Sequence, residues 1–212
     1  MFFCLDIFVG LFSNKTIFKM LKQDLKKAFL QKRKALSEQE VEGFSKKIHD
    51  WFFNSITVHS YPTIHVFLPI RRNNEVDTWL IINTLQKDFA TNIVIPKSHN
   101  DGTMSHYLLT KDTVLEESKL KIIEPNETQN SGLKVQTSKI DLVLIPLLCF
   151  DKKGYRVGYG KGYYDRFLAE CRPDILKIGL SIFEPVDFIE DINEFDIKMN
   201  YCITPNKIWS FQ

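Results

Sequence analysis

Apolar side chains recur at helical spacing near the start of the chain, at Leu21, Leu25, Phe29 and Leu36. This spacing puts them on one face and predicts an amphipathic helix over residues 21–36, with most of its lysines on the solvated side. The next stretch, Ser37-Glu-Gln-Glu40, has the sequence of a capping box. A second helix is therefore predicted from this point, with a buried stripe at Val41, Phe44, Ile48 and Phe52.

Short β-rich runs alternate with helical patterns through the rest of the chain. Strands are predicted at 63–68, 92–96, 104–109, 141–146, 175–180 and 201–204, and further helices after Asp77 and over 164–171. The Leu142-Val-Leu-Ile145 run lacks polar alternation, as expected in a sheet that is covered on both faces. The alternation predicts an α/β fold, a three-layer sandwich with a mostly parallel sheet.

The first part of the chain, residues 1–19, differs from the remainder. It is apolar, yet Asp6 interrupts it, no basic residue precedes it, and it falls short of the roughly 20 apolar residues that span a bilayer. We predict a loosely attached N-terminal extension there. Residues 20–212 contain no repeat or Pro/Gly/Ser linker and are predicted to form a single domain.

Composition and charge narrow the possible partners. The 28 basic and 26 acidic residues leave a net charge of +2, too small to predict nucleic acid or a membrane surface as a partner. The four cysteines show no C-x-x-C spacing, so reduced thiols in the cytoplasm are expected. No two of the five histidines lie one helical turn apart, and His65, inside an apolar run, is interpreted as structural. We expect a monomer.

The most informative stretch is Arg156-Val-Gly-Tyr-Gly-Lys-Gly-Tyr-Tyr-Asp-Arg166, between a predicted buried strand and a helix. Its three glycines, Gly158, Gly160 and Gly162, let backbone N–H groups approach an anion that a Cβ atom would block. Lys161 adds a positive charge, and the next helix presents its positive N-terminal end to the same anion. The stretch predicts a site for a phosphate chain, with Asp165 as a carboxylate for the Mg²⁺ that accompanies ATP.

This stretch matches neither the P-loop motif nor the dinucleotide-binding fingerprint, because no Ser or Thr follows Lys161 and the glycine spacing differs. The alternative is that the glycines only shape a turn. The neighbouring Arg156, Lys161 and Asp165 favour the phosphate interpretation.

The Asp141-Leu-Val-Leu-Ile-Pro146 run and the Phe150–Arg166 segment together resemble the signature of the 5-formyltetrahydrofolate cyclo-ligase family. The resemblance covers nearly everything after Met20. Its further segments are Lys22-Gln-Asp-Leu-Lys26, Arg33-Lys-Ala-Leu-Ser37, Phe67–Val76, Ile95-Pro-Lys97 and Asp196. It implies a sheet of the sugar-phosphate isomerase and coenzyme A transferase type. It also implies the Mg²⁺-assisted reaction of ATP and 5-formyltetrahydrofolate to ADP, phosphate and 5,10-methenyltetrahydrofolate.

The resemblance also implies roles for individual residues. Lys161 and Arg156 are expected to neutralise transition-state charge, and Asp165 and Asp196 to hold Mg²⁺, although Asp196 is alternatively a surface acid. The expected ATP contacts are Lys22, Lys26, Arg156, Val157, Gly158, Tyr159, Gly160, Lys161, Gly162, Tyr163 and Tyr164. Those expected for the folate are Phe67, Leu68, Glu75, Lys97 and Tyr163.

Within the folate group, Glu75 is expected to accept hydrogen bonds from the pterin ring, and Lys97 to meet the glutamate tail. Tyr163 and Tyr164 are alternatively core residues, and Lys97 is alternatively a solvated lysine. The chain departs from the family pattern in two places. The Arg71–Asn74 connection is longer, and Asn200 stands where a second acid often follows Asp196.

Two other functions share the phosphate loop. One is a small-molecule kinase or ligase with a different acceptor, and the other is a non-catalytic protein that binds a nucleotide or RNA. The near-neutral charge and the acids Asp165 and Glu75 disfavour RNA binding.

Overall fold

The computed structural model describes residues 20–118 and 121–211, and the extension predicted for residues 1–19 lies outside them. The described part has four α-helices: α1 (Lys22–Lys34), α2 (Glu38–Ser55), α3 (Trp79–Asp88) and α4 (Tyr163–Glu170). Its strands are β1 (Thr63–His65), β2 (Asn92–Ser98), β3 (Met104–Leu108), β4 (Leu115–Glu117), β5 (Ile123–Pro125), β6 (Leu142–Pro146), β7 (Cys149–Phe150), β8 (Arg156–Val157), β9 (Leu176–Leu180), β10 (Tyr201–Ile203) and β11 (Ile208–Ser210). No helix among the described residues is long and apolar enough to cross a bilayer.

Local side-chain hydrogen bonds mark the starts of α2 and α3. The capping box before α2 is present: Glu40 N donates to Ser37 Oγ at 3.3 Å and Ser37 N donates to Glu40 Oε2 at 2.8 Å. Helix α3 begins beside Asp77, whose Oδ1 accepts a hydrogen bond from Trp79 N at 3.1 Å. These contacts satisfy backbone donors that have no partner within the helix.

Seven strands form the main sheet in the order β11-β10-β9-β6-β1-β2-β3. The five inner strands, β10, β9, β6, β1 and β2, run parallel to one another, whereas the edge strands β11 and β3 are antiparallel to their neighbours. This arrangement confirms the predicted mostly parallel sheet.

Helices cover both faces of this sheet. Leu142 and Leu144 of β6 belong to the core that packs against α2 and α3, and Val143 and Ile145 belong to the core that includes Phe167 of α4. Because alternate residues are buried on opposite faces, the whole 142–145 run is apolar. The three-layer prediction is therefore confirmed.

The structure differs from the predicted elements mainly in its shortest strands. The strand predicted over 63–68 ends at His65, and the hairpins β4–β5 and β7–β8 and the edge strand β11 were not predicted. Strands of two or three residues are too short to show a hydrophobic period, so the sequence carries little signal for them.

His65 lies in the core, as predicted, and its ring centroid is 5.2 Å from that of His106. Neither nitrogen of His65, nor Nδ1 of His106, has a hydrogen-bond partner among the described residues. Burial lowers the pKa of His65 well below its usual value, and burial, with the charges of His99 and Lys134, lowers the pKa of His106 to about 4. Both rings are therefore neutral near pH 7.

We expect the fold to lose stability in mild acid. A histidine whose folded pKa is depressed favours folding above its unfolded pKa, and this contribution is lost as pH falls towards the folded pKa. For His106 the loss between pH 7 and pH 5 should be about 2 kcal/mol. Urea denaturation at pH 7 and pH 5 measures the difference in the free energy of unfolding between the two pH values. His106→Phe should reduce this difference. An unchanged difference in that variant would rule out His106 as its source.

Candidate active site

The glycine-rich stretch forms a turn between β8 and α4. Gly160 and Gly162 have φ angles of +85° and +67°, in the left-handed region that glycine occupies without strain. Gly162 is the N-cap of α4, so the turn ends at the positive end of that helix. A Cβ atom at Gly158 would meet nothing within 4 Å, so space remains in front of the turn.

The beginning of α1 lies against this turn. Lys26 Nζ donates to the carbonyl oxygen of Tyr159 at 2.5 Å, and a Cβ atom at Gly160 would lie 3.2 Å from the same ammonium. Val157, by contrast, is buried in a core that includes Leu25 of α1. Helix α1 therefore holds the turn by apolar packing on one side and by a lysine on the other.

Lys22 lies one helical turn before Lys26 and pairs with Asp196. Its Nζ is 2.5 Å from Asp196 Oδ2, which also accepts from Asn193 N at 2.7 Å. The backbone N of Lys22 donates to Asp191 Oδ1 at 2.8 Å, so the 191–196 loop is joined to the start of α1. Lys22, Lys26 and Asp196, which the sequence assigned to one site, lie together.

Arg156 is buried, and both of its Nη atoms donate to the protein. Its Nη2 donates to Asp165 Oδ1 at 2.7 Å and its Nη1 donates to the carbonyl of Ile197 at 2.5 Å. Burial lowers the pKa of Arg156, and the charges of Asp165 and Asp196 oppose that effect. The geometry shows that Arg156 joins β8 to α4 and to the late loop; a direct phosphate contact stays a prediction.

The carboxylates predicted to hold Mg²⁺ each keep one oxygen available. Asp165 Oδ1 accepts from Arg156 and, at 3.1 Å, from Ile197 N, whereas its Oδ2 has no hydrogen-bond partner among the described residues. The Oδ1 of Asp196 is likewise without one. Carboxylate oxygens suit Mg²⁺, which is commonly held by one or two of them together with substrate phosphates. The two aspartates thus fit the ion.

No cluster of three or more His, Cys, Asp or Glu side chains suited to a metal occurs within 20–118 and 121–211. An ion held at Asp165 and Asp196 would therefore need further ligands from a bound phosphate chain or from water.

Lys161 lies at the exposed tip of the turn. Its carbonyl accepts from Arg166 Nη2 at 2.6 Å, and its ammonium makes no ion pair with any residue the structure describes. Arg166 Nε also donates to the carbonyl of Gly102 at 2.8 Å, which ties the turn to the β2–β3 connection. The Lys161 side chain is therefore exposed, while hydrogen bonds from Arg166 hold the backbone of the turn in place.

The two tyrosines that open α4 point to different surroundings. Tyr163 OH donates to the carbonyl of His99 at 2.7 Å. Tyr164 OH is buried without a hydrogen-bond partner in the described part of the chain, and burial, with the charge of Glu75, raises its pKa. Tyr164 also packs against Phe167 in the core, so the sequence alternative of core packing holds for this residue.

Glu75 is buried beside the turn. Its Oε1 accepts from Tyr159 OH at 2.6 Å and its Oε2 accepts from Ile70 N at 2.8 Å. Arg33 Nη2 lies 3.8 Å from Oε1. Burial raises the pKa of Glu75, while Arg33 and the two hydrogen bonds oppose the rise. The other predicted folate residues near it in sequence, Phe67 and Leu68, are buried.

The connection before Glu75 caps the end of α1. Asn74 has φ of +50°, and its Nδ2 donates to the carbonyls of Arg33 at 3.0 Å and Leu36 at 2.9 Å. The Arg33 carbonyl, in the last turn of α1, also accepts from Leu36 N at 3.2 Å, and Leu36 follows the end of the helix. The Arg71–Asn74 segment therefore fixes Glu75 relative to α1.

Lys97 and Asn200, two further positions considered in the sequence, form hydrogen bonds with neighbouring parts of the fold. Lys97 Nζ donates to Glu116 Oε1 of the β4–β5 hairpin at 3.2 Å, so its contact with a glutamate tail stays a prediction. Asn200 Oδ1 accepts from Lys177 N at 2.9 Å where β9 and β10 begin. That contact gives Asn200 a role in the sheet.

Arg33 was not assigned to the site from the sequence. It is buried, its Nη1 donates to the carbonyl of Leu147 at 3.0 Å, and its Nη2 donates to Tyr159 OH. The signal for it was available: Leu25, Phe29 and Arg33 are spaced four residues apart, so the arginine lies on the buried stripe of α1. A charged residue on an apolar face needs a specific partner.

The sheet and these contacts define a class of protein: a three-layer α/β protein with a candidate ligand site in loops around a mostly parallel sheet. A family model described as "5-formyltetrahydrofolate cyclo-ligase family" matches residues 19–205. The chain is 31% identical to a 5-formyltetrahydrofolate cyclo-ligase of Mycoplasma pneumoniae, over 87% of this chain and 98% of that one. With the Escherichia coli K12 protein of the same name it shares 26% identity, over 85% of this chain and 98% of that one.

Solved structures agree with the sequence relatives. A 5,10-methenyltetrahydrofolate synthetase from Mycoplasma pneumoniae matches with a TM-score of 0.68 at 29% identity, over 87% of this chain and 98% of that one. One from Aquifex aeolicus matches with a TM-score of 0.70 at 27% identity, over 90% and 93%. The chain belongs to the 5-formyltetrahydrofolate cyclo-ligase family.

Proposed function

We propose that this protein uses ATP to convert 5-formyltetrahydrofolate into 5,10-methenyltetrahydrofolate, releasing ADP and phosphate. The observation that carries the proposal is the contact between two chemically different sites. Tyr159 belongs to the glycine-rich turn through its backbone, and its hydroxyl donates to the buried carboxylate of Glu75 at 2.6 Å. A site for phosphate and a site for N–H donors therefore adjoin, as a reaction between ATP and a pterin requires.

The reaction has two steps. The formyl oxygen attacks the γ-phosphorus of ATP and ADP leaves, which converts a poor leaving group into a phosphorylated imidate. The neighbouring N10 then attacks the formyl carbon, phosphate leaves and the N10 proton is released. The protein contributes mainly positioning and neutralisation of charge, as in other phosphoryl transfers.

Three lysines supply positive charge near the phosphates in this proposal. Lys26 reaches the turn from α1, Lys22 pairs with Asp196 one helical turn earlier, and the ammonium of Lys161 is available at the tip of the turn. Arg156 acts here by holding Asp165 Oδ1, which leaves Oδ2 directed to other ligands. Asp165 and Asp196 would hold Mg²⁺, which supplies further charge neutralisation on the phosphates.

Glu75 is the proposed acceptor for the amino and ring N–H groups of the pterin, because a carboxylate can accept such a planar pair through both oxygens. Phe67, Leu68 and Tyr163 would line this pocket. Lys97 would leave its hydrogen bond with Glu116 and contact the glutamate tail of the folate instead.

We further propose that residues 20–212 act as a monomeric catalytic domain in the cytoplasm, without nucleic acid as a partner. The net charge of +2 supports the last point. Burial raises the pKa values of Cys149 and Cys171 to about 12, so these thiols stay protonated and unreactive. Such thiols suit a reducing compartment.

The absorbance of the reaction mixture tests the activity, since the conjugated methenyl product absorbs at longer wavelength than the substrate. Purified protein with 5-formyltetrahydrofolate and Mg-ATP should produce that absorbance together with equal amounts of ADP and phosphate. Mixtures without ATP, or with EDTA in excess of Mg²⁺, should not. Folate-dependent ADP release without the new absorbance would instead indicate a kinase, and a folded protein that releases no ADP would rule out both enzymes.

A further inference from the structure

Tyr159 is shared between the two proposed subsites. Its carbonyl accepts from Lys26 Nζ at 2.5 Å, at the turn proposed to bind phosphates. Its hydroxyl lies in the Glu75 pocket, 2.6 Å from Oε1. Because the backbone and side chain of one residue are held in different subsites, a shift of the turn is transmitted directly to Glu75.

The hydroxyl of Tyr159 uses its full hydrogen-bonding capacity. A phenol has one proton to donate and two lone pairs to accept with. The proton goes to Glu75, while Arg33 Nη2 and, at 3.2 Å, Asn73 Nδ2 donate to the oxygen. Burial and the charge of Glu75 raise the pKa of Tyr159, so the hydroxyl keeps its proton. The side chain is thus fixed as a donor to the carboxylate.

Glu75 is hard for a ligand to reach in this arrangement, because its side chain is only 3% exposed, although each of its oxygens keeps a second lone pair. Its Oε2 accepts from Ile70 N at 2.8 Å, and its Oε1 accepts from Tyr159. A planar pair of N–H donors needs an oxygen on each side of the carboxylate. A pterin that approaches Glu75 therefore competes with the Tyr159 hydroxyl for Oε1.

We propose that Tyr159 is a positioning residue that couples the two substrates: its hydroxyl occupies the pterin acceptor Glu75 until ATP loosens the turn. The phosphates of ATP draw the Lys26 ammonium away from the Tyr159 carbonyl. The turn, flanked at this point by Gly158 and Gly160, then moves and withdraws the hydroxyl from Glu75. This inference rests on the proposed function, since it takes a pterin as the ligand of Glu75.

The coupling has a defined sign. ATP should tighten the binding of 5-formyltetrahydrofolate, and by linkage the folate should tighten ATP by the same factor. Tyr159→Phe removes the competing donor while it keeps the ring. Folate binding without nucleotide should then become about tenfold tighter, the lower range for a hydrogen bond to a charged group. The ratio of folate dissociation constants without and with nucleotide should fall towards one.

Isothermal titration of 5-formyltetrahydrofolate into the full chain, with and without a non-hydrolysable ATP analogue and Mg²⁺, measures this ratio. The matched control is Tyr107→Phe, which removes a tyrosine hydroxyl that donates to a carboxylate, Glu127 Oε1 at 3.3 Å, outside the proposed site. Tyr107→Phe should keep the wild-type ratio. Asn73→Ser, which removes one donor to the Tyr159 hydroxyl, should give a smaller shift in the direction of Tyr159→Phe.

The outcomes separate this inference from the proposed function. If wild-type protein binds the folate and Tyr159→Phe binds it equally tightly, with an unchanged nucleotide ratio, the coupling is wrong and the proposed function stands. Equal weakening of folate binding with and without nucleotide in Tyr159→Phe would make Tyr159 a folate contact and also overturn the coupling. If wild-type protein binds no 5-formyltetrahydrofolate under either condition, both proposals fail.

Discussion

Lys161→Ala should lower kcat/KM for the ATP-dependent reaction by about 100- to 1,000-fold, the range for removing one preorganised group that stabilises transition-state charge. The ammonium of Lys161 makes no ion pair with the described residues, and its backbone is braced by Arg166. Its charge is therefore free to act on a phosphate, and the alanine variant should keep the wild-type fold, since substitutions at exposed positions typically change stability by less than about 0.5 kcal/mol. The measurement is the initial rate of methenyl absorbance, beside a urea denaturation curve.

Lys153→Ala is the matched control for that experiment. Lys153 is also exposed and lies on the β7–β8 connection, outside the glycine-rich turn. It should retain the wild-type rate. A folded Lys161→Ala protein with nearly full activity would show that the turn does not act through this charge, and equal losses in the two lysine variants would indicate a general effect of surface charge.

The order of the main elements could be predicted from the sequence because each long element carries its own signal. The capping box at Ser37 begins α2, and the unbroken apolar run at 142–145 becomes the strand buried between both cores. Sheet order and strand pairing were beyond reach, because they depend on contacts between residues far apart in the chain. Val143 of β6, for example, pairs with Lys177 of β9 and with His65 of β1.

In the candidate site, too, the residues that are neighbours in sequence could be predicted together, whereas contacts between distant segments could not. The glycines, Lys161 and Asp165 are adjacent in sequence, so a single motif reveals them. Arg33, Glu75 and Tyr159 come from three separate segments, and only the fold brings them together. The sequence also could not show that Arg156 is satisfied by Asp165 and Ile197, since pairing depends on the course of the late loop.

That pairing changes what Arg156 contributes. A buried arginine with both Nη atoms engaged acts first on the structure of the site, because it fixes which oxygen of Asp165 remains available. In the proposed function, the charge that meets a phosphate comes more directly from Lys22, Lys26 and Lys161. A substitution at Arg156 should therefore lower both the stability and the activity of the protein, whereas a substitution at Lys161 should lower the activity alone.

Arg156→Met should lower the free energy of unfolding by about 2 kcal/mol, below the range for breaking a fully buried ion pair, because the Asp165 side chain is 30% exposed. The variant leaves the Asp165 carboxylate and the Ile197 carbonyl without the arginine that holds them. Urea denaturation near pH 7 measures the loss, and activity should fall with it because Asp165 loses its fixed orientation.

The control is Arg172→Met, which breaks a 2.9 Å pair with Asp141 in which the arginine side chain is 40% exposed. An exposed pair of this kind contributes less than about 1 kcal/mol. Equal losses of stability in the two variants would show that burial does not distinguish them, and would remove the structural role assigned to Arg156.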